Sequence, residues 1–235
     1  MIQKLSVLLL VSMSLLAGCA VPRQAFDKQA SASLKKIVIA DRADEESYEA
    51  RLERHVGGAF GLIGAAVAEA DMAAKSSRLT KALDPAKTRV QQKFIAELAS
   101  RLKAMGYETE IVAVGKGLDP VATVNALKAK ATADAYMYVD VQAKYIAPGG
   151  FSPYTPYIVT KIRVAPPAGD NALYEDTISW GYNYNQSRMM HLPGGYTYRY
   201  QAIEDLEANA DKVREGLYEG IPVLVTEFSN SLKKN

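Results

Sequence analysis

Nucleophilic, acid/base and metal chemistry is built from cysteines, histidines and convergent carboxylates, and this chain of 235 residues holds few of them. Its only cysteine is Cys19, and its two histidines are His55 and His191. Zinc sites need three or four Cys, His or acidic ligands at characteristic spacing, and the sequence offers no such pattern. Nor does it contain H-E-x-x-H, G-x-S-x-G or the phosphate-cradling G-x-x-x-x-G-K-[ST]. The acid pairs Glu45-Glu46, Glu175-Asp176 and Glu204-Asp205 are adjacent, so on a strand their carboxylates face opposite sides of the sheet. No cofactor, metal or catalytic residue is expected. The alternative is a hydrolase with His191, in a loop, as its acid/base; that reading needs a pocket bringing His191 to a carboxylate and a hydroxyl.

Cys19 has a more specific reading. It ends Leu16-Ala17-Gly18-Cys19, behind a start made basic by Lys4 and an apolar core from Leu5 to Leu16. These are the parts of an export signal, and the core is shorter than the roughly 20 apolar residues a permanent span requires. The segment resembles the bacterial lipoprotein signal, whose lipobox is matched by Leu16, Ala17, Gly18 and Cys19. The resemblance implies cleavage before Cys19, diacylglycerol on its sulfur, and acylation of the new amine by a fatty acid such as palmitate. Two or more acyl chains anchor stably where one does not. Ala20, where an Asp would favour the inner membrane, implies the outer membrane, with the domain facing the periplasm.

Charge excludes a further class of partner. The formal balance is +2, and removing residues 1–18 removes only Lys4, leaving +1. Nucleic-acid binders concentrate positive charge on one face; here Lys35-Lys36 and Lys233-Lys234 are short and scattered.

Aromatic residues are the other unusual feature, since nine of the 14 tyrosines fall between positions 145 and 200. Phe151, Tyr154 and Tyr157 stand among glycines and prolines, Trp180, Tyr182 and Tyr184 share one strand parity, and Tyr196, Tyr198 and Tyr200 follow Pro193-Gly194-Gly195. Rings give large contact area at low entropic cost, so these nine residues are the expected docking surface for an envelope protein or a glycan. The competing reading is that they cover one end of the sheet from within.

The elements that would position them follow from periodicity. Residues 1–18 read as signal peptide, 19–33 as a flexible tether with Pro22 and small polar side chains, and 34–235 as one domain. Ile37-Val38-Ile39 and the alternating residues from Tyr48 to Val56 predict two strands joined as a hairpin. The small-residue run GGAFGLIGAAVAEA from Gly57 predicts a helix buried on the sheet, a membrane-inserting element being the alternative. Asp71, Lys75 and Arg78 would form an ion-pair row behind it. Asp84-Pro85 and Asp119-Pro120 predict capped helix starts, with a strand at 108–114 between those helices. Strands follow at 135–146, 157–164 and 173–185, then helical spacing from Ile203 to Leu217 and again after Pro222.

The fold class is therefore α+β, a two-layer sandwich with a mainly antiparallel mixed sheet covered by helices. This arrangement, with lipobox and tether, is similar to the small α/β domain of curli-secretion lipoproteins, penicillin-binding-protein activator lipoproteins and the N-terminal domain of the Tol translocation protein. The combined expectation is a lipid-anchored, non-catalytic envelope protein.

Overall fold

The computed structural model describes residues 23–42, 46–54, 61–169, 171–183 and 189–233. Leu16, Ala17, Gly18, Cys19, His55 and Tyr184 lie outside the described residues.

Seven strands form one mixed sheet: β1 (Lys36–Arg42), β2 (Glu49–Leu52), β3 (Glu108–Val114), β4 (Ala135–Ala147), β5 (Thr155–Ala165), β6 (Tyr174–Gly181) and β7 (Met190–Pro193). Their order is β3-β1-β4-β5-β6-β7, with β2 also beside β4. The pairs β4–β5 and β5–β6 are antiparallel, and β1–β3, β1–β4, β2–β4 and β6–β7 are parallel.

The expected β1–β2 hairpin does not form. Both strands run parallel to β4, β1 against Ala135–Met137 and β2 against Lys144–Ala147. They act as two halves of one interrupted neighbour, since β1 pairs with the start of β4 and β2 with its end. In the gap the Val141 N–H reaches the side-chain oxygen of Gln91 at 3.4 Å instead of a strand carbonyl.

Alternation along the strands divides the core. Ile37, Ile39, Met137, Val139, Ala143, Tyr145, Ile158, Ile162, Ile178 and Trp180 face a main cluster filled by helices, where Phe228 meets Phe94 edge-on at 6.2 Å. Those helices are α1 (Gly61–Leu83), α2 (Pro85–Thr88), α3 (Val90–Ala104), α5 (Ile203–Ala208), α6 (Ala210–Tyr218) and α7 (Gly220–Ser231). The opposite parity, Val38, Ala40, Tyr136 and Ala165, packs against Val124 and Leu127 of α4 (Pro120–Lys130). The reverse face is thus covered at its lower half, and Gln142 and Lys144 keep it polar above.

Both Asp-Pro starts cap as expected. Asp84 accepts from Ala86 N–H at 3.2 Å and Asp119 from Ala122 N–H at 2.8 Å. The first helix stops after one turn, however, because Arg89 takes a left-handed conformation at φ 45°. α3 then restarts without a cap of its own. Glu46 supplies one from across the chain: its carboxylate accepts from Val90 N–H at 2.7 Å and Gln91 N–H at 3.0 Å, and from the Tyr48 hydroxyl. A carboxylate at this position satisfies orphan donors and the helix dipole together.

Two further expectations change. Among the described residues of the helix read from Gly57, burial begins at Ala68; Leu62, Ile63 and Val67 are 91%, 82% and 65% exposed. Small residues there reflect no close packing on the sheet, since Glu69 is already level with Arg51 near the end of β2 and a rise of 1.5 Å per residue carries Leu62 roughly 10 Å further. In the segment read as tether, Gln24 bridges Glu175, Asp27 N–H bonds Leu173 O at 3.0 Å, Phe26 packs on the core, and Ser31 is buried. Polar composition concealed this contact because it is made mainly through backbone groups.

Candidate functional site

The upper end of the sheet gathers the β4–β5 loop, the end of β6, β7 with its following loop, and the start of α1. It is where the sequence placed a ring surface, and most of those rings turn inward. Trp180, Tyr157 and Tyr154 are 1%, 2% and 5% exposed. Trp180 shares its parity with Ile178 because both face the helices. Its indole lies between two glycines: a Cβ on Gly194 would come 2.3 Å from its Nε1, and one on Gly220 2.4 Å from its Cε3. Tyr154 and Tyr200 bridge through their backbones at 2.7 and 3.1 Å, and Tyr200 meets Tyr145 edge-on at 5.9 Å. Tyr182 donates its hydroxyl to Glu53, and Tyr198 is half-buried against Gly216.

This corrects the nine-residue docking surface. The competing reading fits Trp180, Tyr154 and Tyr157, which are too buried to offer ring surface to a partner, Trp180 being closed in by a glycine on either side. Phe151 remains fully exposed, and Tyr196 is 65% exposed with the Arg199 guanidinium 5.0 Å from its centroid. Alternation could not separate the two groups, because core-facing and solvent-facing rings have the same period. The residues missed were Leu62, Ile63 and Val67, which join Phe151 at this end; the uncharged run around them was the available signal.

His191 lies on β7, its Nδ1 3.2 Å from the Ser179 hydroxyl, which is itself buried. Burial alone lowers its pKa below the usual 6.5, with no carboxylate raising it. A hydroxyl is therefore present beside it, and the acid that would orient the imidazole and stabilise its cation makes no contribution. Among the described residues no three His, Cys, Asp or Glu side chains converge as a metal site.

A polar cleft of about 290 Å³ opens where β4 lacks a neighbour, lined among others by Arg42, Glu46, Glu49, Gln91, Asp140 and Lys144. Its charges answer one another: Arg42 pairs with Asp140 and stacks on Tyr138 at 4.9 Å, and Lys144 bonds Glu49 at 2.9 Å. Glu46, the remaining acid of the lining, is held by the first N–H groups of α3, so every charged group named here is engaged within the domain. The Asp71–Lys75 pair closes at 2.6 Å as its spacing predicts, while Arg78 reaches across to Glu204 and Glu207 on α5. No helix among the described residues is long and apolar enough to cross a membrane.

No protein-family model and no curated protein matches the chain. Among solved structures it is similar to the crystal structure of lipoprotein GNA1162 from Neisseria meningitidis, with 11% identity and a TM-score of 0.24 over 65% of this chain and 86% of that one. A likeness so remote bears on neither fold nor function here.

Proposed function

We propose that this protein is a lipid-anchored, non-catalytic component of the cell envelope, held at the outer membrane through Cys19, that presents the upper end of its sheet to another envelope protein. Support for the anchor is the lipobox Leu16-Ala17-Gly18-Cys19 behind an apolar leader core. The observation that carries the docking role is the exposure of Leu62, Ile63, Val67 and Phe151 at one end of a domain whose other large apolar groups are mostly buried. Contiguous exposed apolar groups on a soluble domain mark contact surfaces. A protein partner is favoured over a glycan because the exposed groups at this end are mainly aliphatic, Leu62, Ile63 and Val67, while Trp180 and Tyr157 are enclosed.

Mass spectrometry of the mature N-terminus tests the anchor: acylated Cys19 is expected, and a free thiol refutes it. Site-specific photo-crosslinkers at Ile63 and Phe151 test the docking end in intact envelopes. The expected result is one discrete adduct common to both positions and missing from a crosslinker at Lys103, on the opposite end. Adducts alike at all three positions, or at none, overturn the proposal.

A further inference from the structure

The course of the chain toward Cys19 narrows the kind of partner the upper end can meet; the inference rests on the anchor and docking readings. Gln24 bridges Glu175 in antiparallel sense and Asp27 N–H bonds Leu173 O at 3.0 Å, so residue numbers fall toward the top of β6. Arg23 keeps that course, its Nε 3.2 Å from the Asp176 carboxylate. The chain therefore approaches Cys19 heading for the apolar end. Five steps separate Gln24 from Cys19 and span at most about 18 Å. From Glu175 to Gly181, the top of β6, six steps at ~3.3 Å cover about 20 Å. Cys19 can thus come nearly level with the top of β6 but cannot pass it.

The start of α1 stands farther out. Gly181 lies opposite Tyr157, and Tyr157 opposite Lys144, whereas Arg51 lies beside Ile146, higher on β4. Moving up β2, α1 residue numbers fall: Thr80 Oγ1 accepts from Tyr48 N–H at 2.8 Å, Ser76 Oγ from Ala50 N–H at 3.2 Å, and Glu69 meets Arg51 at 3.7 Å. Seven further residues of helical rise carry Leu62 roughly 10 Å beyond Glu69. A bilayer that holds Cys19 at its surface and faces this end therefore receives Leu62, Ile63 and Val67 in its headgroup layer.

Lipid alone is a poor occupant for that tip. Helices that lie on membranes carry Lys and Arg on their polar face, but α1 has no basic residue before Lys75, and its first charged residues are the acids Glu69 and Asp71. What the tip offers is an aliphatic face without a cationic rim, which suits the apolar surface of another protein.

We infer that the docking end faces the bilayer that carries the anchor, and that its partner is an integral protein of that membrane, met at headgroup depth through Leu62, Ile63 and Val67. The short leash supplies the orientation, and the aliphatic tip supplies the contact.

The first arm of the test places the full lipidated chain in vesicles of phosphatidylethanolamine and phosphatidylglycerol. Nitroxides at Ile63→Cys and at Lys103→Cys report the two ends; acylated Cys19 takes no label. Collision with a water-soluble nickel chelate should be several-fold weaker at 63 than at 103, and equal access, or weaker access at 103, overturns the inference. The second arm takes the partner found in the photo-adduct at Ile63 from intact envelopes and identified by peptide mass spectrometry. In envelopes never irradiated, that partner should stay in the membrane pellet on alkaline carbonate extraction. Its release into the supernatant overturns the inference and leaves the docking reading standing. Protection at 63 with no protein adduct there makes lipid the occupant and overturns both. A free Cys19 thiol in the vesicle-bound protein overturns the anchor reading and this inference with it.

Discussion

Gly220 stands against the indole of Trp180 so closely that a methyl group there would meet Cε3 at 2.4 Å. The contact joins the first turn of α7 to the top of β6 and closes the upper core. Alanine would gain about 1 kcal/mol of helix propensity over glycine, but overpacking of a fixed ring costs typically 1–3 kcal/mol and prevails. Gly220→Ala is therefore expected to lower the urea midpoint. An unchanged midpoint would mean that α7 can move away from the indole.

Exposed and enclosed rings should separate cleanly. Trp180→Ala empties the centre of the upper core and should cost roughly 3–5 kcal/mol, whereas Phe151→Ser should stay within about 0.5 kcal/mol of the parent. Thermal unfolding of the two variants checks this. It also makes Phe151, rather than Trp180, the usable position for contact experiments.

Glu46 should behave as a helix cap although it lies far from α3 in sequence. Glu46→Ala removes the acceptor of Val90 N–H, Gln91 N–H and the Tyr48 hydroxyl. Cap removal costs about 1–2 kcal/mol, and Tyr48 is buried, which adds to the penalty. Denaturant unfolding should show the loss, with Glu46→Gln intermediate.

Arg42 and Asp140 have side chains 10% and 23% exposed. Asp140→Ala leaves the guanidinium enclosed with Tyr138 and should approach the roughly 3–5 kcal/mol cost of breaking a buried pair, reduced by partial solvation. Arg42→Met combined with Asp140→Leu should restore most of that stability, since it removes both charges. A double-mutant cycle by urea titration measures the coupling.

His191 should make stability fall on the acid side. Its folded pKa lies below 6.5 because burial disfavours the cation, so as pH drops through 6.5 the unfolded chain takes up the proton first. The stabilisation is present above about 6.5 and is lost below it. His191→Gln should flatten that part of the stability curve, measured as urea midpoints on either side of pH 6.5.

Local features were legible wherever adjacent residues decide the outcome. The caps at Asp84 and Asp119, the 108–114 strand and the alternation of β4 each follow from propensity or period within a few residues. The β1–β2 connection was misread because hairpin and split-neighbour arrangements share the same alternation; the choice depends on β4, more than 80 residues later. The break at Arg89 was invisible for a similar reason, since the acceptor that allows α3 to restart comes from Glu46.

The sequence by itself determined the leader pattern with Cys19, the α+β class and the chemical types present, all of them properties of short windows. Tertiary structure alone decided which side of each ring faces water. Trp180 and Phe151 both read as large apolar rings in the sequence; one is enclosed between Gly194 and Gly220, and the other stands fully exposed. Burial depends on what long-range packing brings up from elsewhere in the chain, and no local period records it. The same packing fixed Gln24 to Glu175, shortening a tether that composition had left long.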